Sequence, residues 1–131
     1  MQHGISGIGQ IAINAKNVER ATAFYRDIVG LPLLMQVSGM AFFDCAGVRL
    51  MLSPPESGEH DHLSSILYFK VADIRAVHGQ LAAKGVHFER EPHMLVRMPD
   101  HDLWMAFFRD SENNVMALMS EVMHAGTPAT D

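Results

Sequence analysis

The tetrapeptide Met40-Ala41-Phe42-Phe43 returns as Met105-Ala106-Phe107-Phe108, and each copy runs through a turn into a short apolar strand pattern, residues 48–52 in the first case and 115–119 in the second. The stretches upstream correspond as well. IAINAKNVERATAFY, residues 11–25, has the plan of LYFKVADIRAVHGQL, residues 67–81: an alternating strand, a polar cap and a helix. A repeated tetrapeptide inside a repeated plan reads as two copies of one supersecondary unit.

Local signals bound the two helices alike. Asn17 and Asp73 are N-cap residues whose short side chains accept from the orphan N–H groups of a first turn, and Gly30 and Gly85 stand where a helix ends in a left-handed residue. Ala21, Phe24, Tyr25 and Ile28 fall on one stripe of the first helix, and Ile74, Val77 and Leu81 on one stripe of the second. Three strand-like stretches follow each helix: 33–37, 40–44 and 48–52, then 86–96, 103–109 and 114–119. These features predict an α+β protein of two βαβββ modules, about residues 8–52 and 64–119, within one domain spanning 1–122. Residues 53–63 read as a polar, turn-rich linker and 123–131 as a fraying tail.

Composition sets the outer bounds. The 131 residues suit one domain, and 48% hydrophobic with 19% charged residues excludes a disordered chain. Ten Lys plus Arg against fifteen Asp plus Glu give a net charge of −5 with no basic stripe, which argues against nucleic acid as a partner. The longest uncharged stretch, 28–43, is interrupted by Gly30, Pro32, Gln36, Ser38 and Gly39, so no membrane span is expected. No Lys or Arg precedes Lys16, as a secretory signal would require, and the lone Cys45 forms no internal disulfide; the expected compartment is the cytoplasm. The ten methionines predict first a soft core and second a plastic apolar pocket.

Two four-stranded sheets, each covered by a helix on one face, must bury their other faces. The predicted arrangement is a cup-shaped mixed sheet around a central pocket, closed within one chain or by exchange of modules in a homodimer.

Three stretches, NVERATAFYRDIVGL (17–31), DIRAVHGQLAAKGVHF (73–88) and FFRDSENNVMALM (107–119), resemble the vicinal oxygen chelate superfamily, which includes glyoxalase I, bleomycin-resistance proteins and extradiol dioxygenases. The resemblance runs from Ile8 to Val122. In the family the last turn reads aspartate, proline, aspartate, glycine, asparagine; here it is Asp110, Ser111, Glu112, Asn113, Asn114, and Asn113 tolerates the left-handed conformation the glycine serves. The resemblance implies a divalent metal held by His, Gln or Glu on four strands, at positions that are Gln10, Met51, Ile66 and Ala117 in this chain. Gln10 offers an amide oxygen and Met51 a thioether suited only to a soft ion; Ile66 and Ala117 offer nothing. No metal and no other cofactor is therefore expected, and metal-dependent glyoxalase or dioxygenase chemistry loses its ion.

Strand parity adds Ala12, Asn14, Arg49, Tyr68 and Lys70 to the face that carries those positions. Arg49 is placed there to pair with an anion or to stand at the rim, and Tyr68 to stack and hydrogen-bond. EPHMLVRMPDHDLW, residues 91–104, gathers His93, Arg97, His101 and Trp104. In an extended strand His93, Leu95 and Arg97 share a face, and His101 between Asp100 and Asp102 reads as a candidate base or as part of a capped surface turn. Trp104 is expected at the pocket mouth. The remaining histidines are assigned no role: His60-Asp61-His62 in the linker, His3 and His124 near the ends, His78 and His87 at solvent or a core edge. Cys45 reads as an inert thiol, and Gly4, Gly7 and Gly9 precede a strand rather than a helix, so they do not form a phosphate loop.

The expected ligand-binding set is thus Gln10, Arg49, Met51, Ile66, Tyr68, His93, Arg97, His101, Trp104 and Ala117. It predicts a metal-free pocket for a small, partly apolar molecule. The alternatives are a lyase or isomerase using His101 or His93 as base with Arg49 or Arg97 holding a carboxylate, a dioxygenase-type enzyme of the same superfamily, and a structural or regulatory dimer module.

Overall fold

The computed structural model describes residues 4–55 and 63–125, so His3 and the His60-Asp61-His62 group lie outside the described residues. The elements run β1 (Gln10–Asn14), α1 (Val18–Ala23) continued by a π-helical segment (Phe24–Val29), β2 (Leu33–Val37), β3 (Met40–Cys45), β4 (Val48–Ser53), β5 (Tyr68–Lys70), α2 (Ile74–Ala83), β6 (His93–Arg97), β7 (His101–Arg109) and β8 (Val115–Met123). Cα packing divides the chain into two units, Met1–Ser65 and Ile66–Asp131. Each holds one mixed sheet of the same connectivity, β1-β4-β3-β2 in the first and β5-β8-β7-β6 in the second. In both, the first strand lies parallel to the last and the other neighbours are antiparallel. The protein is α+β, built from two βαβββ modules.

The caps hold where the sequence places them. Asn17 Oδ1 accepts from Arg20 N at 2.9 Å and Asp73 Oδ1 from Ala76 N at 3.1 Å. Gly30 and Gly85 both sit at φ +90°, a conformation without penalty only for a residue lacking Cβ. The first helix differs from a regular one: Gly30 N and Leu31 N both donate to the Tyr25 carbonyl, at 3.0 and 2.9 Å, and this wider spacing absorbs one extra residue before the chain turns into β2.

One face of each sheet packs on its helix. In the first module α1 packs on β3 and β4, and the residues facing it, Ile13, Ala41, Phe43, Leu50 and Leu52, are all buried. In the second, α2 packs on β7 and β8 over Ala106, Phe108, Met116, Leu118 and Ser120. The repeated tetrapeptide explains the parity, because its alanine and second phenylalanine face the helix in both copies and its methionine and first phenylalanine face away. The methionines do not make the core: Met105 and Met116 are buried, whereas Met35, Met94 and Met98 are exposed and Met40, Met51, Met119 and Met123 lie between.

Three expectations about strands need correction. Residues 86–96 are not one strand: Phe88 makes a single bridge to Phe108, the chain bends at Glu89 and Arg90, and β6 starts only at His93. Buried Pro92, with no N–H to give a ladder, stands just before that start. β7 and β8 are longer than predicted, reaching back to His101 and on to Met123. Their extended pairing also fixes His124, placed by the sequence in a fraying tail: its backbone N donates to Asp100 O at 2.9 Å and its Nε2 meets Asp102 Oδ1 at 2.9 Å.

Candidate functional site

The face of each sheet turned away from its helix carries most of the candidate residues. In the first module Gln10 pairs with Arg49 and Ala12 with Met51 across the parallel β1–β4 ladder, and Phe42 pairs with Met51 across β3–β4. Paired residues share a face. The side chains touch accordingly: the Gln10 amide Nε2 donates to Met51 Sδ at 3.8 Å, and the Arg49 guanidinium lies over the Phe42 ring at 5.9 Å. Arg49 is exposed, so it presents a cation beside an apolar floor of Met51 and Phe42.

In the second module Tyr68 pairs with Ala117, Phe107 with Ala117, and Met105 with both Met119 and His93. Tyr68 and Phe107 meet edge to face with centroids 6.1 Å apart. Ala117 is fully buried, Ile66 is exposed just before β5, and the Leu67 carbonyl accepts from Ala117 N at 2.9 Å. Arg90 Nε donates to His93 Nδ1 at 3.0 Å.

A polar chain crosses the same face. Lys70 Nζ lies 3.1 Å from Glu121 Oε1, Glu121 Oε2 lies 3.7 Å from His101 Nε2, and His101 Nδ1 lies 2.7 Å from Asp100 Oδ1. His101 is held between Asp100 and Glu121, not between the two aspartates that flank it in sequence. Asp102 points to the other face, as alternation requires, and there engages Arg97 Nε at 3.1 Å and His124. The His124 hydrogen bond, helped by the Arg97 charge and opposed by partial burial, holds the Asp102 carboxyl below its ordinary value. The His101 hydrogen bond does the same for Asp100. Burial and the neighbouring Asp44 raise the Cys45 thiol, which keeps it protonated and unreactive. Glu121 lies beyond the strand end that the sequence predicts at Met119, and the continuing alternation Met119, Glu121, Met123 is the signal that extends it.

Two candidates leave this face. A bulge lies between Met94, which pairs with Trp104, and Val96, which pairs with Leu103, so Leu95 is the extra residue. One inserted residue inverts the parity beyond it. His93 therefore faces away from α2 while Arg97 shares the helix-side face with Asp102, and the expectation that His93 and Arg97 lie together is corrected. Trp104 pairs with Ser120, two residues from Leu118 on the helix-packed row, so it too lies on the helix side. There the Arg75 guanidinium covers its ring at 5.1 Å.

The four positions at which the family resemblance implies metal ligands carry one amide, one thioether, one isoleucine and one alanine. The Gln10 amide is engaged with Met51. This donor set does not fit a divalent ion that needs several N or O ligands. Among the described residues no group of three or more His, Cys, Asp or Glu is placed to hold a metal.

Comparison with known proteins agrees with the fold. The YraH protein of Bacillus subtilis (strain 168) is 28% identical over 126 residues, covering 83% of this chain and 94% of its own. The metallothiol transferase FosB of Staphylococcus haemolyticus is 35% identical over 49 residues, 37% of this chain and 35% of its own. Among solved structures, the lactoylglutathione lyase of Agrobacterium tumefaciens superposes with a TM-score of 0.71 at 22% identity, covering 90% of this chain and 96% of its own. TnmS3, an antibiotic binding protein from Streptomyces sp. CB03234, gives 0.72 at 21%, covering 92% and 99%. The family description matches residues 7–118, and the chain belongs to the Glyoxalase/Bleomycin resistance protein/Dioxygenase superfamily.

Proposed function

We propose that the protein binds a small, partly apolar molecule, without a metal ion, on the sheet faces turned away from the helices. One observation carries this reading: where the superfamily resemblance implies metal ligands, these faces carry Met51, Ile66 and Ala117, surrounded by Phe42 in one module and by Met105, Phe107 and Met119 in the other. Methionine and aromatic side chains form a floor that adapts to ligand shape. Gln10 and Arg49 on the first sheet, and Tyr68, His93 and His101 on the second, are the polar groups each face offers to orient a ligand. The antibiotic-binding neighbour TnmS3 is a precedent for binding on this fold.

A homodimer belongs to the same reading, supported by the exposed apolar residues Leu34, Met35 and Val37 on edge strand β2 and Met94, Leu95 and Val96 on edge strand β6. A cytoplasmic location is supported by the single free cysteine.

Native mass spectrometry of protein purified without added metal tests the reading, since it reports ligand, metal and oligomeric state together. The expected result is a copurified small molecule and no stoichiometric metal. Zinc, nickel or iron at one per chain, lost on Gln10→Ala, overturns it. The Asp100–His101–Glu121 contacts favour one second reading, a lyase or isomerase with His101 as base. Incubating the released molecule with fresh protein separates the two. An unchanged NMR spectrum supports binding alone; a new species that fails to form with His101→Ala supports the enzyme.

A further inference from the structure

The helix-side face of the second module carries a separate hollow of about 350 Å³ that none of the candidate chemistry above uses. It lies between the first turn of α2 and the extended ends of β7 and β8. Its walls include Asp73, Ile74, Arg75, Trp104, Ser120 and Val122. By register it is on the face opposite Tyr68, Ala117 and His101.

The state of Arg75 points to the ligand. Its guanidinium lies over the indole of Trp104, the chain's single tryptophan, at 5.1 Å. Among the described residues it makes no ion pair and no side-chain hydrogen bond. A cation resting on a ring face keeps its N–H donors free, and a guanidinium presents them as a planar fork that matches a carboxylate. The nearby acids do not take that role. Asp73 Oδ1 caps α2 through Ala76 N, and Asp102 is engaged with Arg97 and His124. Ile74, Val122 and the indole supply apolar walls, and the Ser120 hydroxyl donates to Ala72 O at 3.3 Å.

The first module provides an internal comparison. A hollow at the first turn of its helix, about 360 Å³, is walled instead by β2 and the β2–β3 turn, with Glu19, Gln36, Ser38 and Met40 among its lining residues and neither an aromatic ring nor a cation. Glu19 stands two residues after the cap Asn17, as Arg75 stands two after Asp73, so the repeat has reversed its charge at this point. The wall carrying Trp104 comes from the strand extension that the second module alone possesses.

We propose that this hollow is a binding site for a small aromatic carboxylate, with Arg75 gripping the carboxylate and Trp104, Ile74 and Val122 holding the ring. Its volume, at the low end of the ~300–1,000 Å³ of ligand pockets, suits a one-ring molecule. The proposal stands independently of the ligand proposed for the other face.

Benzoate and 4-fluorobenzoate are the probes, with benzamide as the neutral isostere. Emission of Trp104, excited at its red edge, should change saturably with benzoate, and the fluorine signal of 4-fluorobenzoate should broaden on adding protein. Benzamide should do neither at the same concentrations. Arg75→Gln, an exposed position whose far-UV dichroism should match the parent, is expected to weaken binding on the order of tenfold or more, the loss of a charge-assisted pair. Trp104→Phe should retain fluorine broadening with reduced affinity. No saturable response to benzoate, an equal response to benzamide, or broadening that survives Arg75→Gln unchanged would each overturn the proposal.

Discussion

Replacing Asp110 by alanine should cost more stability than any other change in the β7–β8 turn, the turn that sets the register of Ala117 against Phe107. Asp110 is only 6% exposed. Its Oδ1 accepts from Glu112 N and Asn114 N, each at 2.9 Å, and its Oδ2 from Asn114 Nδ2 at 3.0 Å. The carboxylate thereby closes a turn in which Asn113 sits at φ +64°, a conformation the local bonds must stabilise. Hydrogen bonds to a charged group contribute about 1.5–3 kcal/mol each, and water recovers part of the loss at the exposed tip, so about 3 kcal/mol is expected for Asp110→Ala. At an m-value of about 2 kcal/mol/M this lowers the urea midpoint by about 1.5 M, with the slope unchanged. Asp110→Asn keeps Oδ1 and both backbone bonds, losing only the Asn114 side-chain contact, and should cost about 1 kcal/mol. A loss below about 0.5 kcal/mol for the alanine variant, or an asparagine variant as unstable as the alanine, would refute the claim that this side chain organises the turn.

Phe43→Ala and Phe108→Ala, equivalent positions of the repeat and both fully buried, should each destabilise by about 3–5 kcal/mol, measured by denaturant unfolding. Asn17→Ala and Asp73→Ala each remove one cap bond and should cost about 1 kcal/mol by the same measurement, with thermal scans ranking them together. Asp102→Asn tests the pH response. The folded-state pKa of Asp102 is lowered, so its contribution is present above the ordinary carboxylate value of 3.8 and is lost as pH falls through the lower folded value. The stability gap between parent and Asp102→Asn should therefore shrink as pH falls below about 5; a gap that does not shrink down to acid unfolding would show that the Arg97 and His124 pairing does not hold the charge.

Much of the fold was legible because its signals are local. The Met-Ala-Phe-Phe repeat, the Asn17 and Asp73 caps and the Gly30 and Gly85 exits each act within a few residues, and the two sheets reproduce them in the same order. The sheet face holding Gln10, Arg49 and Met51 in the first module, and that holding Tyr68 and Ala117 in the second, were equally accessible, since alternation along an unbroken strand fixes side-chain direction. Where the strand is interrupted the reading failed. HMLVR contains no glycine or proline to mark the bulge at Leu95, and that extra residue is imposed by the pairing of β6 with β7.

What the sequence by itself determined, then, is the pair of βαβββ modules and the caps and glycine exits that bound their helices. These depend on residue type at fixed spacing. The tertiary structure alone decided which more distant partners meet: Glu121 with His101, Asp102 with Arg97 and His124, and Arg75 over Trp104. Each of those contacts joins residues from different segments of the fold. Their proximity follows from ladder register and helix docking, which are settled by burying Phe108, Met116 and Leu118 together rather than by any neighbour in sequence.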